Sequence, residues 1–214
     1  GGTSWAGDRR KGGQGGFVED LAFHYRIPLI NLIDGAGGSV TSAKRRGHTV
    51  FPGVNGFERS VQLLGLVPVV SAVMGTAAGG PAGRAILSHW TVMIKDTSQI
   101  FAAGPPVVER SLGQKVTKEE LGGSQMAVDG AGTIDNVAEN EEECFAMIKR
   151  FLSYLPQNVY ELPPTISCDD PVDRKEEGLL NIVPRSRRQA YNMRKLLELV
   201  VDLGSVFEIK PTFG

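Results

Sequence analysis

Val67-Pro68-Val69-Val70-Ser71-Ala72-Val73-Met74, followed by Gly75-Thr76-Ala77-Ala78-Gly79-Gly80-Pro81-Ala82-Gly83, is the stretch on which the fold turns. The first part is short, apolar and rich in β-branched residues, so it predicts a buried strand rather than a helix. The glycines of Gly75–Gly80 permit positive φ and a tight exit, and a small-residue helix is expected to run on through Leu87. The same grammar recurs upstream, where Pro28-Leu29-Ile30-Asn31-Leu32-Ile33 reads as a strand and Asp34-Gly35-Ala36-Gly37-Gly38 as its exit. Downstream, Trp90-Thr91-Val92-Met93-Ile94-Lys95 reads as a third strand. Strand, glycine loop, helix and strand in repetition predict an α/β fold with parallel strands and right-handed crossovers. Both glycine loops then fall on the C-terminal edge of the sheet, where ligands bind in open α/β sheets.

Working outward, Phe17, Leu21 and Tyr25 recur at helical spacing in 17–26, and Phe57, Val61 and Leu64 do so in 56–64. Asn140 reads as the N-cap of a helix reaching about Leu155, with Glu141, Glu142 and Glu143 in its first turn and Lys149 and Arg150 near its end. Its apolar set is Cys144, Met147, Ile148, Phe151, Leu152 and Leu155, which makes Cys144 a packing residue. Pro156, Pro163, Pro164 and Pro171 interrupt regular structure beyond that helix, so Gln157 to about Arg188 is expected to be a linker or irregular arm. An amphipathic helix over Met193–Asp202 and a strand at Val206-Phe207-Glu208-Ile209 are expected to close the chain. The start at Gly1-Gly2-Thr3, without an initiator Met, predicts a segment of a longer polypeptide.

Composition narrows the function classes. The 214 residues are 41% hydrophobic and 22% charged, enough for a buried core, and the formal net charge is −1. With no basic stripe to follow a phosphate backbone, nucleic acid is not expected as a partner. Cys144 and Cys168 lack metal-site or disulfide spacing, which suits a reducing compartment and argues against a metal. No apolar run approaches the ~20 residues that span a bilayer, so no membrane partner is expected. Glycine is abundant, at 27 residues, and either turns or close backbone approach to a ligand must account for it.

Chemistry then rests on the backbone. A glycine-turn N–H at a helix start donates to an anion with no side chain in the way, and two such donors make an oxyanion hole. Gly79 and Gly80 have this arrangement if the helix begins near Pro81, because proline suits the first helical position. The Gly35–Gly38 loop offers further donors from the neighbouring strand. Two other readings stand beside this one. In one, the glycines serve only tight turns and close packing, in a non-catalytic scaffold. In the other, Ala78-Gly79-Gly80-Pro81-Ala82-Gly83 is one residue from a dinucleotide fingerprint, with Asp96 about where a ribose-binding acid belongs. His24, His48 and His89 lack a nucleophile at informative spacing and are read as surface or packing residues. Arg45, Arg46 and Arg84 are read as solvated surface, with the phosphates of coenzyme A as the alternative.

Several stretches together resemble a known family: Val73-Met74-Gly75-Thr76-Ala77-Ala78-Gly79-Gly80, Met93-Ile94-Lys95-Asp96-Thr97-Ser98-Gln99-Ile100-Phe101, Gly104-Pro105 and Glu120-Leu121-Gly122-Gly123. Phe151-Leu152-Ser153-Tyr154-Leu155-Pro156, Asp170-Pro171, Ile182-Val183-Pro184 and Tyr191-Asn192-Met193-Arg194 continue the match. In order and spacing they are similar to the carboxyltransferase β subunits of biotin-dependent acyl-CoA carboxylases, the propionyl-CoA carboxylase type in particular.

The resemblance implies a crotonase-like ββα spiral, with residues 1–156 forming part of an N-terminal carboxyltransferase domain. Residues 157–214 would then be a linker and the start of a second, homologous domain. It assigns Gly79 and Gly80 to the oxyanion hole for an acyl-CoA enolate, and Gly37, Gly38, Ala78, Phe101 and Gly104 to binding the CoA ester. It further implies carboxybiotin on a carrier domain as carboxylate donor, no metal in this segment, and biotin carboxylase and biotin carrier components as partners. Full-length chains would form a homo-oligomer in the mitochondrial matrix or cytoplasm, and this segment alone would be inactive. The sequence departs from the pattern at known places. Many members have Asp-Ser-Gly-Gly-Ala-Arg where this chain has Asp34-Gly35-Ala36-Gly37-Gly38-Ser39. Pro81 replaces a more usual Ala, and Ser124-Gln125-Met126 stands in place of a common Thr-His. Such changes fit a divergent carboxylase branch or a related biotin-dependent decarboxylase, and another CoA-thioester enzyme such as a hydratase is the remaining alternative within the fold.

Overall fold

The computed structural model of the chain describes residues 15–35, 37, 45, 47, 55–167 and 169–213. Helix α1 (Gly15–Tyr25) leads into strand β1 (Leu29–Gly35), and helix α2 (Asn55–Leu64) leads into strand β2 (Val69–Ala78). Helix α3 (Gly80–Ile86), strands β3 (Trp90–Ile94) and β4 (Gln99–Phe101), and helices α4 (Pro105–Leu112) and α5 (Lys118–Gly122) come next. A wide π-helical turn at Gln125–Gly130, strand β5 (Asn136–Ala138) and helix α6 (Glu141–Ser153) complete this part. The later helices are α7 (Leu179–Ile182) and α8 (Met193–Val200).

The sheet runs β1-β2-β3-β5, every pairing is parallel, and β4 also pairs β2. Val70–Val73 of β2 lie beside Trp90–Met93, and Thr76–Ala78 lie beside Gln99–Phe101. Since β1 occupies the other edge of β2, β3 and β4 share one edge in succession. This is the rising step of a ββα spiral, and it explains why β2 is longer than expected. The expected exit loop at Gly75–Gly80 is therefore corrected: Gly75 to Ala78 are strand, held by β4, and only Gly79 turns.

Among the described residues, Ile33, Val73, Ala77, Ala85, Met93, Ile100, Val128 and Ile134 form one apolar cluster, and Ala22, Leu29, Leu63, Val67 and Val69 form another further back along the same strands. Trp90 is fully buried, donates its indole N–H to Asn136 at 2.8 Å and stacks on Phe151 at 5.1 Å. Helix α6 follows its sequence pattern. Asn140 caps it by accepting from the Glu143 amide at 2.9 Å, and Cys144 and Ile148 are buried. Burial pushes the Cys144 thiol up to about 11, consistent with a packing role rather than a reactive one.

The first two helices do not follow theirs. In α1 Phe17 and Tyr25 are exposed, while Glu19 and Ala22 are buried. In α2 Val61 is exposed, and Ser60 and Leu63 face inward. The reason is one polar cluster: Arg84 of α3 pairs with Glu19, and the Ser60 hydroxyl donates to the same carboxylate at 2.7 Å. A neutralised and hydrogen-bonded carboxylate can be buried where an isolated one cannot.

By contact, residues 1–163 with 209–214 form one compact unit and residues 164–208 a second. In the first, the returning end is pinned by Lys210, whose amide donates to the Asp135 carbonyl at 2.9 Å and whose ammonium donates to the Gly132 carbonyl at 2.6 Å. The second is irregular outside its two short helices. Arg174 organises it by pairing with Asp170 and donating to the Leu199 and Val201 carbonyls at 2.9 and 3.2 Å. The strand expected at 206–209 does not form; Glu208 instead pairs with Arg194 at 2.8 Å, which raises the guanidinium's pKa through that hydrogen bond and charge.

Candidate functional site

The exits of β1 and β2 lie side by side at the C-terminal edge of the sheet, because the two strands pair in parallel as far as Gly35 and Ala77. At one point their backbones approach as only glycine allows: a Cβ on Gly37, whose φ is 78°, would lie 2.8 Å from the Ala78 carbonyl oxygen. Over Gly75 it is the Asp34 carboxylate that lies close, with Oδ1 2.5 Å from where a Cβ would be. On the other side, Ala78 pairs with Phe101, and a Cβ on Gly104 would meet the Phe101 ring at 3.5 Å. Gly37, Ala78, Phe101 and Gly104 thus gather around Gly79, while Gly38 lies outside the described residues.

Gly79 makes the turn itself, with φ 64° and ψ −118°, a backbone that residues with a Cβ avoid. Its amide donates to the Phe101 carbonyl at 3.1 Å, as the last rung of the β2–β4 ladder. The expected donor pair is corrected accordingly: the Gly79 N–H is spent and offers nothing to a ligand. Its carbonyl accepts from Gly83 at 2.9 Å, and Pro81 has no N–H. The Gly80 and Ala82 amides are left as first-turn donors without an intrahelical acceptor. Ala82 is buried, whereas Gly80 is only half-buried at the surface of the turn.

Other candidates resolve into structure. The His89 imidazole accepts from the Val69 amide through Nδ1 at 3.0 Å, so its proton sits on Nε2, 3.0 Å from the Leu64 carbonyl. His24 is exposed, with Nδ1 2.7 Å from the Asp20 carbonyl oxygen, and His48 lies outside the described residues. Arg84 is not solvated surface as expected, since it is committed to Glu19; Arg45 is exposed, and Arg46 lies outside the described residues. Among the described residues, no three His, Cys, Asp or Glu side chains converge on one point, and no helix is long and apolar enough to cross a membrane.

Sequence reasoning missed the wall beyond β4. Thr117 caps α5 in a capping box: its hydroxyl accepts from the Glu120 amide at 3.1 Å, and its own amide donates to Glu120 at 2.8 Å. That hydrogen bond holds the Glu120 carboxyl below its ordinary pKa. The signal was present as Thr117-x-x-Glu120. At the helix end, a Cβ on Gly122 would fall 2.0 Å from the Ile100 carbonyl oxygen, so the Leu-Gly-Gly motif is a close contact between helix and strand.

A parallel spiral sheet whose strand exits pack glycine against backbone defines the crotonase-like class. Within that class, the carboxyl transferase domain model matches residues 8–214, and the chain belongs to that family. It is 35% identical over 92% of its length to the carboxyltransferase subunit of propionyl-CoA carboxylase from Haloferax mediterranei. It is 30% identical over 92% of its length to the α subunit of methylmalonyl-CoA decarboxylase from Veillonella parvula. The chain spans 38% of the length of each of these curated relatives. Among solved structures, transcarboxylase 12S, a hexamer crystallised with hydrolysed methylmalonyl-coenzyme A, superposes with a TM-score of 0.80 at 25% identity. That match covers 94% of this chain and 40% of the other.

Proposed function

We propose that this chain supplies the acyl-CoA half of a carboxyltransferase site in a biotin-dependent carboxylase, moving carboxylate to the α-carbon of a short acyl-CoA. The observation that carries the reading is the seam between the β1 and β2 exits, where Gly37 closes on Ala78 and half-buried Gly80 follows two residues later. In this reading the thioester oxygen accepts one hydrogen bond from Gly80 N–H and a second from an amide of the β1 exit, Gly37 or Gly38. As the α-proton leaves, charge grows on that oxygen, so both bonds strengthen where they lower the barrier. Helix α3 has seven residues, so direction comes from the strand-to-helix turn more than from a helix dipole. Ala78, Phe101 and Gly104 form the adjoining wall for the ester.

Carboxybiotin, carried by a separate domain, is the carboxylate donor that the family's relatives suggest. The donors at this seam suffice for one carbonyl oxygen, that of the thioester, and biotin's site is assigned to the remainder of the full-length protein. Biotin carboxylase and biotin carrier components, and a homo-oligomer of full-length chains, complete the assembly. The decarboxylase relative supports a second reading with the same enolate, in which a malonyl-type CoA ester loses carboxylate instead.

The test is a pair of assays on the full-length protein with its biotin components, one offering carboxybiotin with propionyl-CoA as acceptor and the other offering methylmalonyl-CoA alone. Propionyl-CoA-dependent consumption of carboxybiotin is expected, with the isolated 214-residue segment inactive. Release of carboxylate from methylmalonyl-CoA without net carboxylation would select the decarboxylase reading. Activity on neither ester in an intact assembly would leave a hydratase or a scaffold.

A further inference from the structure

Gly35 is glycine for space rather than for backbone conformation. It is absent from the positive-φ glycines, so an L side chain would suit its backbone. Yet a Cβ built there would stand 2.9 Å from Pro81 Cγ and 3.4 Å from Pro81 Cβ. Carbon atoms settle at ~3.5–4.0 Å, and a ring closed on its own backbone can move Cγ only by changing pucker, not by rotating it clear as an open side chain would. Pro81 is buried, so its ring cannot yield outward. Gly35 and Pro81 are therefore in direct contact across the two strand exits, and either position can carry the extra bulk only if the other gives it up.

We propose that Gly35 and Pro81 act as one coupled positioning pair that fixes the separation of the β1 exit from the Gly80 amide. Pro81 follows Gly80 directly, and Gly35 stands two residues before Gly37, so their contact braces the seam just below the amides assigned to the thioester oxygen. Neither residue touches the ester, and both act through backbone position. This inference rests on the proposed oxyanion role of that seam.

The consequence is a reciprocal substitution effect. With Pro81→Ala the Cγ is gone and the remaining 3.4 Å approach to Cβ is tolerable, so position 35 then accepts a side chain. In the full-length protein with its biotin components, Gly35→Ala is expected to lower kcat by ~10–100-fold with little change in KM for propionyl-CoA, because it displaces a transition-state contact by a fraction of an ångström. In the Pro81→Ala background, the same Gly35→Ala change should cost about threefold or less. Equal losses in the two backgrounds would overturn the proposal. If Gly35→Ala alone does not fold, folding of the Gly35→Ala/Pro81→Ala double variant supports the coupling, and its failure to fold overturns it. Should the wild-type protein act on no CoA ester, the proposed function fails, and the pair is judged by Gly80 amide hydrogen exchange across the four variants. Non-additive exchange rates then support the pair, and additive ones refute it.

Discussion

The two ends of helix α3 solve opposite problems with the same seven residues. At its start the backbone is bare: Gly79 turns, Gly80 presents an amide, and Pro81 removes one. Near its end Arg84 is wrapped by partners, held by the Glu19 carboxylate that Ser60 also serves. Binding a developing charge needs donors left without an internal acceptor, whereas anchoring a helix needs every charge matched. Changes at the first end should therefore move rate, and changes at the second should move stability.

The sharpest way to break that contrast is Gly80→Pro. Proline suits the first helical position, so the helix persists while the proposed donor disappears. A loss of ~10²–10³ in kcat with the assembly intact is expected in steady-state assays; unchanged kcat would remove Gly80 from the chemistry. Next, Glu19→Ala removes the carboxylate that neutralises the Arg84 guanidinium and accepts from Ser60, so a charge matched in the interior loses its counter-charge. Since Arg84 keeps 18% of its side-chain surface, the cost belongs at the lower end of the usual range, about 3 kcal/mol in denaturant unfolding, with kcat per folded molecule preserved. A pure kcat effect there would erase the division between the two ends.

Gly79→Ala tests the turn that precedes the helix, whose amide is already spent on Phe101, so its effect falls on stability. A Cβ there meets only the Ala102 carbonyl oxygen, at 3.7 Å, so the penalty is backbone strain of about 2 kcal/mol rather than a clash. A destabilisation below ~0.5 kcal/mol would show that the turn tolerates a side chain. The smallest effect is expected from Ser60→Ala, which removes one hydrogen bond to a carboxylate that Arg84 still neutralises. About 1 kcal/mol in the same unfolding experiment is anticipated, and a loss as large as that of Glu19→Ala would make Ser60, not Arg84, the main partner of the carboxylate.

Legibility followed the same division. The cores of the first three strands, the Asn140 cap and the inward face of Cys144 and Ile148 could be read because each is written in neighbouring residues. The Leu-Gly-Gly motif was visible as a family signature, but its purpose, the approach of Gly122 to Ile100, was not. The inward faces of α1 and α2 were misread because Phe17, Tyr25 and Val61 keep helical spacing, while the buried carboxylate takes its partners from 41 and 65 residues away. The Gly79 amide was misassigned for a related reason, since its acceptor belongs to a strand that enters only after β3.

The sequence by itself determined the cores of β1, β2 and β3 and the capped start of α6, because β-branching and capping act within a few residues. Only the tertiary structure decided which amides remain open and which charges go inside. Both depend on acceptors brought from distant segments: the Phe101 carbonyl closes Gly79, and Arg84 allows Glu19 into the core.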